Sequence, residues 1–164
     1  MTITTLVLAA ALAWGAGLSA QGAPLSFADE GWILQGPDVR VDDVLGSEAL
    51  SVGNGSAARV DLPLEDGVFE FDVALPRVRG FVGLRFRMDA LGNGEEIYFR
   101  SHKSGFPDAL QYAPVFAGES YWQVCHGPAS TASAVFPAGE WLHVRLELRG
   151  SVATVFLDGR EDPA

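Results

Sequence analysis

The stretch YFRSHKSGFPDALQY, residues 98–112, brings aromatic, cationic and amide side chains together in one short part of the chain. From Ile97 to His102 the residues alternate with a period of two, which predicts Tyr98, Arg100 and His102 on one face of a strand. Aromatic rings stack on the flat C–H faces of sugars, and planar multi-donor groups hydrogen-bond hydroxyls and carboxylates. The stretch therefore indicates a surface that binds a hydroxyl- or carboxylate-bearing ligand.

Charged side chains on neighbouring strands extend this predicted surface. Val68–Leu75 alternates with its apolar residues on one face, and Gly80–Met88 repeats the pattern, so opposite charges face each other if the two strands form a hairpin. The alternative is a ladder of mutually neutralising ion pairs on a solvated sheet, which needs no ligand. The predicted ligand-binding residues are Glu70, Asp72, Arg85, Arg87, Tyr98, Arg100, His102 and Gln111.

The histidines and the single cysteine form no recognisable catalytic or metal-binding motif. His102, His126 and His143 lack metal-ligand spacing, which predicts no catalytic metal, and the glycine-rich turns lack a phosphate-binding pattern, which predicts no nucleotide cofactor. Cys125 precedes His126, but adjacent strand residues point to opposite faces. A packed or half-buried cysteine is therefore favoured over a catalytic thiol.

The turn DALGNGE, residues 89–95, is a candidate for a structural calcium ion. Asp89 and Glu95 could supply carboxylate oxygens, which are the ligands that calcium prefers. Acidic turns are common in an acidic protein, so a solvated turn without an ion is the favoured interpretation. We therefore predict that the protein needs no cofactor.

The composition limits the number of domains and the kinds of partner. A chain of 164 residues is long enough for one domain with a core and short for two. A hydrophobic content of 48%, with 19 glycines and 9 prolines, suits many short strands joined by tight turns. The 11 Lys and Arg against 21 Asp and Glu give a formal charge of -10, which disfavours nucleic acid and anionic membrane surfaces as partners.

The first 28 residues carry no charged side chain and include an apolar run, Leu6–Leu18, that is rich in Ala and Leu and ends in small residues. This pattern is typical of a secretory signal peptide, although no Lys or Arg precedes the run. We predict a signal peptide over residues 1–20 and a single domain over residues 24–164. An uncleaved N-terminal anchor is the alternative. The predicted location is secreted, periplasmic or cell-surface, with no membrane insertion after cleavage.

Hydrophobic alternation and frequent turns predict an all-β chain with antiparallel strands in two sheets. An irregular connection is expected at Val39–Leu45. The chain ends at REDPA soon after a strong strand, which predicts either that its last C-terminal strands are missing or that the sheet is left with an open edge. Strands are predicted at Trp32–Leu34, Ala49–Val52, Ala58–Leu62, Val68–Leu75, Gly80–Met88, Glu96–His102, Ala109–Phe116, Ser120–Cys125, Ala132–Phe136, Trp141–Leu148 and Val152–Leu157.

Several runs of the chain resemble the concanavalin A-like lectin/glucanase superfamily, and more narrowly its uncharacterised secreted bacterial members with affinities to laminin-G-like domains. The runs are GVFEFDVALP, GFVGLRFR, EEIYFRSHKSGFPDALQYAPVFAG, YWQ and EWLHVRLELRG. The resemblance implies an all-β, antiparallel two-sheet jelly-roll sandwich whose concave sheet often handles saccharides. Members include lectins, glycosidases and adhesion modules, so the resemblance does not specify a reaction.

The laminarinase-like members of this superfamily have a strand motif E-x-D-x-x-E, which supplies a nucleophile and an acid/base. This chain has Glu70 and Asp72 at the first two positions but Leu75 at the third. Retaining hydrolysis needs a second carboxyl about 5 to 5.5 Å from the first. We therefore predict no catalytic residues and a non-catalytic, lectin-like carbohydrate-binding domain.

Two other functions stay open at this point. Glu96 or Glu147, each on another predicted strand, could replace the missing acid/base and make the protein a glycoside hydrolase or lyase. The third hypothesis is an extracellular adhesion module that binds a protein.

Overall fold

The computed structural model describes residues 6–11, 27, 32–53, 57–60, 65–76 and 78–164. Single 3₁₀ turns form at Ser101–Lys103 and Trp122–Val124, and no helix of the described residues is long and apolar enough to span a membrane. The strands are β1 (Leu6–Ala11), β2 (Trp32–Gln35), β3 (Val39–Val44), β4 (Ser47–Val52), β5 (Ala57–Val60), β6 (Gly67–Ala74), β7 (Phe81–Phe86), β8 (Gly94–Arg100), β9 (Leu110–Phe116), β10 (Glu119–Ser120), β11 (Thr131–Ala132), β12 (Trp141–Arg149) and β13 (Val152–Leu157).

The chain forms two compact units. The first contains Met1–Leu75 and Pro137–Ala164, and the second contains Pro76–Phe136. In the first unit six strands are ordered β13-β12-β6-β1-β4-β3, beside a separate β2-β5 pair, whereas the second unit has the order β10-β9-β8-β7 with β11 added to β9. Every described pairing is antiparallel. The predicted all-β, antiparallel jelly-roll class is confirmed.

The core of the first unit follows from the alternation of β12. Its apolar residues from Leu142 to Leu148 are each only 1% exposed, whereas the intervening residues His143, Arg145 and Glu147 are half-buried on the other face. β6 lies next to β12 and buries Phe71 and Val73 in the same alternating way. The period-two prediction for these two strands is confirmed.

The second unit builds its core around β8 and β9. Ile97 and Phe99 of β8 are buried, and so is Val115 of β9. Phe136 packs edge-to-face on Phe99, with 5.7 Å between the ring centroids. This packing places Ile97 and Phe99 in the core, so Tyr98 and Arg100, which alternate with them, lie on the opposite face of β8.

Three local predictions are wrong. Val39–Val44 is strand β3 rather than an irregular connection, and it pairs with β4. The predicted strand Ser120–Cys125 begins with the last residue of β10 and then becomes the 3₁₀ turn Trp122–Val124. Of the predicted strand Ala132–Phe136, only Ala132 lies in a strand, as the second residue of β11. Short segments with mixed apolar and polar residues satisfy either a strand or a turn, and tertiary contacts decide between them.

The sequence left open a hairpin between Val68–Leu75 and Gly80–Met88, and this hairpin does not form. β6 pairs with β1 and β12, whereas β7 pairs with β8 in the second unit. The two alternating strands therefore belong to separate sheets. The charged residues of β6 and β7 do not share a face.

The predicted signal segment is described in part. Leu6–Ala11 forms β1, which pairs with β4 on one side and β6 on the other. The rest of residues 1–20 lies outside the described residues, and so does the predicted cleavage position. Signal-peptide cleavage stays a prediction.

Candidate functional site

An arginine surrounded by aromatic rings lies at the end of β8. The Cζ atom of Arg100 is 5.8 Å from the ring centroid of Phe81, 5.9 Å from that of Tyr98 and 6.0 Å from that of Trp122. Phe81 is the residue opposite Arg100 in the β7–β8 register. We call Phe81, Tyr98, Arg100 and Trp122 the arginine–aromatic cluster. Each distance is within the range in which a ring face attracts a cation.

A carboxylate holds one edge of the Arg100 guanidinium. Its Nη1 donates to Asp108 Oδ2 at 2.6 Å, and the Nζ of Lys103 lies 3.5 Å from the same oxygen. Arg100 Nε is buried and has no hydrogen-bond partner among the described residues. A buried N–H without a partner costs free energy, so this group is an unsatisfied donor enclosed within the cluster.

The exposed rings of the cluster are Phe81 and Trp122. Phe81 is 53% exposed and Trp122 is 44% exposed, whereas Tyr98 is only 7% exposed. Gly83 faces Tyr98 across the β7–β8 pair, and a Cβ at Gly83 would lie 3.0 Å from Tyr98 Cβ. Glycine at this position therefore lets the two strands and the Tyr98 side chain pack closely.

Burial controls the ionisation of Tyr98. Burial removes solvent from around the hydroxyl and raises the pKa of Tyr98 to about 12. The positive charge of Arg100 acts in the opposite direction, but its effect is smaller. The phenol therefore stays protonated over the physiological range and keeps its hydrogen-bond donor. The ring of Tyr98 is buried and packs beside Arg100. The exposed rings, on which a ligand could stack, are those of Phe81 and Trp122.

Gln111 supports the turn that carries Trp122. Its Nε2 donates to the carbonyl oxygens of Trp122 at 3.1 Å and of Cys125 at 2.9 Å. Gln111 is only 4% exposed. Gln111, which was predicted to bind the ligand, is therefore buried beneath the exposed surface and positions Trp122. Cys125 is a half-buried free thiol, as predicted, although it follows a 3₁₀ turn rather than lying in a strand.

His102 lies at the margin of the cluster. It belongs to the 3₁₀ turn after β8 rather than to the strand, and its ring meets Phe81 edge-on with 5.3 Å between the centroids. Its Nδ1 is buried without a hydrogen-bond partner in the described part of the chain. The hydroxyl of Ser101 donates to the carbonyl of Val78 at 2.7 Å, which fixes the turn. His102 thus lies next to the cluster because of the 3₁₀ turn, and not because of the alternation of a strand from which its position was predicted.

The other two predicted arginines of the second unit form ion pairs along β7 and β8. Arg85 Nε donates to Glu96 at 2.8 Å, and Arg85 also donates to the carbonyl of Gly118 at 3.0 Å. Arg87 pairs with Glu95 at 2.9 Å. These contacts have the form of the ion-pair ladder that the sequence left open as an alternative.

Glu70 and Asp72 belong to β6 in the first unit. Asp72 Oδ1 lies 2.8 Å from His143 Nδ1 on β12, and Glu70 is opposite Arg145 in the strand register. The eight predicted residues are therefore divided, with these two in one unit and the other six in the second unit.

The turn considered for calcium is held by its own hydrogen bonds. The Asp89 carboxylate accepts from the backbone N–H groups of Leu91 and Asn93 at 2.8 Å and from the Asn93 side chain at 2.9 Å. The bonds from Asn93 are the main cause that lowers the pKa of Asp89. The described residues contain no group of three or more His, Cys, Asp or Glu that could hold a metal ion.

Sequence reasoning missed Phe81, Asp108 and Trp122 as members or supports of the site. Phe81 is two residues before the outward position Gly83, so period two could have placed it on the outward face. Asp108 lies inside the stretch 98–112 that the sequence singled out. Trp122 had no comparable signal, because the turn that positions it was taken for a strand.

Comparison with known families gives a match over most of the chain. The family model described as "3-keto-alpha-glucoside-1,2-lyase-like domain" matches residues 24–161. Neither a curated protein nor a solved structure matches the chain significantly.

Proposed function

We propose, from the premise that the chain belongs to the 3-keto-alpha-glucoside-1,2-lyase-like domain family, that it is a secreted, lectin-like domain that binds a saccharide without converting it. The family is carbohydrate-related. The observation that supports binding is the arginine–aromatic cluster, which combines exposed rings with a fixed cationic donor. It also agrees with the absence of a carboxyl at Leu75 in the glycosidase motif.

The cluster offers the two kinds of contact that a sugar ring needs. Phe81 is 53% exposed and Trp122 is 44% exposed, so each side chain has surface on which the C–H groups of a sugar can pack. Arg100 supplies N–H donors for hydroxyls and is held in place by Asp108. Because Gln111 and Asp108 fix the cluster before a ligand arrives, little side-chain entropy is lost on binding.

A glycan array followed by titration of the best hit tests this proposal. Trp122→Ala should weaken binding by about tenfold or more, since a central aromatic contact is lost. Tyr121→Ala is the matched control, because Tyr121 is equally exposed at 44% but packs on Phe116 instead of Arg100. Absence of any glycan binding, or equal losses in the two variants, would refute the proposed function.

A second candidate function is elimination on a 3-keto-glucoside, which the description of the family favours. In such a step a base removes the proton on C2, which the adjacent ketone makes acidic. A C1=C2 double bond forms, and the C1–O bond breaks as the leaving oxygen takes up a proton. His102, at the margin of the cluster, is the residue that fits the base, and Arg100 is placed to stabilise the enolate.

Incubation with a 3-keto-α-glucoside separates the two functions. Formation of an unsaturated ketone, followed by its ultraviolet absorbance and abolished in His102→Ala, would establish the lyase. Binding of the same compound without absorbance change supports the lectin-like function.

A further inference from the structure

Phe106 is a large apolar side chain that is exposed on a loop held by hydrogen bonds. It is 56% exposed and lies in the loop that precedes β9. Its backbone N–H donates to the carbonyl of Lys103 at 2.8 Å, and its own carbonyl accepts from the N–H of Ala109 at 3.1 Å. The N–H of Gly105 donates to the carbonyl of Ala134 at 2.7 Å. The backbone that presents the Phe106 ring is therefore fixed on both sides of it.

A row of contacts joins this ring to the arginine–aromatic cluster. Lys103 Nζ lies 5.4 Å from the Phe106 ring centroid and 3.5 Å from Asp108 Oδ2. The same oxygen accepts a hydrogen bond from Arg100 Nη1 at 2.6 Å, and Arg100 Cζ is 6.0 Å from the Trp122 ring centroid. Asp108 therefore fixes one cation beside each ring, and Phe106 and Trp122 lie at the two ends of the row.

The polar side chains of this row offer both donors and an acceptor. The ammonium group of Lys103 has three N–H donors on a side chain that is 38% exposed. The side chain of Asp108 is 34% exposed, and its carboxylate can accept from a hydroxyl. A sugar needs an apolar surface for its C–H groups and polar groups held in place for its hydroxyls. The surroundings of Phe106 therefore repeat the arrangement found at Trp122.

The pair Phe116 and Tyr121, in the same unit, is arranged differently. The two side chains are 51% and 44% exposed, and their rings pack edge-to-face on each other with 5.3 Å between the centroids. Each ring thus uses part of its surface on the other, and neither adjoins the Asp108 carboxylate in the described contacts. Exposure alone does not distinguish Phe106 from this pair, whereas the polar groups beside it do.

We infer that Phe106, with Lys103 and Asp108, forms a second sugar subsite, and that the ligand is an oligosaccharide long enough to reach both rings. This inference rests on the proposed saccharide binding. One sugar residue packs on Trp122 beside Arg100. A later residue of the same saccharide packs on Phe106, and its hydroxyls bond to Lys103 and Asp108. Because the loop is held before binding, the second contact requires little additional ordering of the protein.

Titration with disaccharides and hexasaccharides tests the inference. The probes are maltose with maltohexaose, and cellobiose with cellohexaose. In at least one pair we expect the hexasaccharide to bind about tenfold tighter than the disaccharide, because a second aromatic contact is added. Phe106→Ala should reduce this gain to about twofold or less and leave the affinity for the disaccharide unchanged. Phe106→Tyr keeps the ring and should keep the gain.

Phe116→Ala is the matched control, since it removes a ring of similar exposure whose described ring contact is with Tyr121. It should leave the affinities for both lengths unchanged, and melting curves confirm that each variant is folded. Equal affinity for the two lengths in both pairs, failure of all four probes to bind, or a gain that survives in Phe106→Ala overturns the inference alone. Equal losses of the gain in Phe106→Ala and Phe116→Ala overturn it too. A glycan array without any binding overturns the proposed function as well.

Discussion

Arg100 and Arg145 have the same kinds of neighbour but form different sites. Both lie at outward positions of strands, both pair with a carboxylate, and both lie over an aromatic ring. Arg145 is held within its own sheet, by Glu147 two residues away and by Phe156 opposite it on β13, at 4.0 Å from the ring centroid. Arg100 is met by rings from β7, from β8 and from the turn after β10. An arginine whose partners all lie on its own or adjacent strands is part of a ladder of side chains along the sheet. An arginine that also contacts a ring from a separate turn is part of a site that the sheet alone does not form.

The largest effect expected from this comparison concerns the two arginines themselves. Arg100→Ala should weaken saccharide binding by about 1 to 3 kcal/mol, because a central cation and its donors are removed. Arg145→Ala should leave the affinity unchanged. Calorimetric titration of both variants against the same glycan measures the difference. If both variants bind as tightly as the wild type, the cluster is only another ladder.

Replacing Gln111 sharpens the comparison, because this residue acts through the turn that carries Trp122. Gln111→Leu keeps the approximate shape but removes the amide donor, so the carbonyl of Cys125 loses this hydrogen bond and that of Trp122 keeps only the bond from the backbone N–H of Cys125. We expect losses of about 1 kcal/mol in binding and about 1 to 3 kcal/mol in the free energy of unfolding. Urea denaturation and titration measure the two quantities. Trp122→Ala should reduce affinity with little change in stability, and the reverse ranking would show that Gln111 does not position Trp122.

Alkaline pH should destabilise the second unit through Tyr98. An ordinary tyrosine has a pKa of 10.0, whereas burial raises the pKa of Tyr98 to about 12 in the folded protein. The unfolded chain therefore loses this proton first. The stabilisation is complete below pH 10 and is lost as the pH rises through about 12. Urea denaturation between these values should show a falling free energy of unfolding, with a shallower fall in Tyr98→Phe. Burial also raises the pKa of Tyr112, which accounts for part of the remaining slope.

The smallest effect is expected for the pair Asp72–His143 on the first sheet. Both side chains are more than 40% exposed, so the pair should contribute less than about 1 kcal/mol. His143→Ala should lower the melting temperature slightly and leave glycan binding unchanged. A loss of affinity in this variant would place β6 and β12 in the binding surface and would restore Glu70 and Asp72 as ligand residues.

The alternation of apolar residues made the longest strands predictable. In β12 every second side chain is almost fully buried, and no other element type gives that period. The same regularity placed Tyr98 and Arg100 together on one face of β8. It failed for pairing, because a strand with one apolar face is compatible with any partner of similar length. The hairpin that the sequence left open between β6 and β7 is an example of this ambiguity, since β6 pairs with β12 and β7 with β8.

The remaining parts of the candidate site depend on irregular backbone. His102 reaches Phe81 from a 3₁₀ turn, and Trp122 reaches Arg100 from another. Neither turn has a side-chain helix cap that would distinguish it from a strand end. The role of Gln111 was also hidden, since an amide in a strand can face a ligand or support a loop. Only the two carbonyls that it contacts decide between these roles.

The place of β1 sets a condition on export. Leu6–Ala11 is an internal strand, paired on one side with β4 and on the other with β6. A processing cut after Ala20 would remove it and leave β4 and β6 as two facing edges whose backbone N–H and C=O groups have lost their partners. Such edges are templates for aggregation or for the insertion of a foreign strand. A processed, soluble form of this domain therefore requires another strand to take the place of β1.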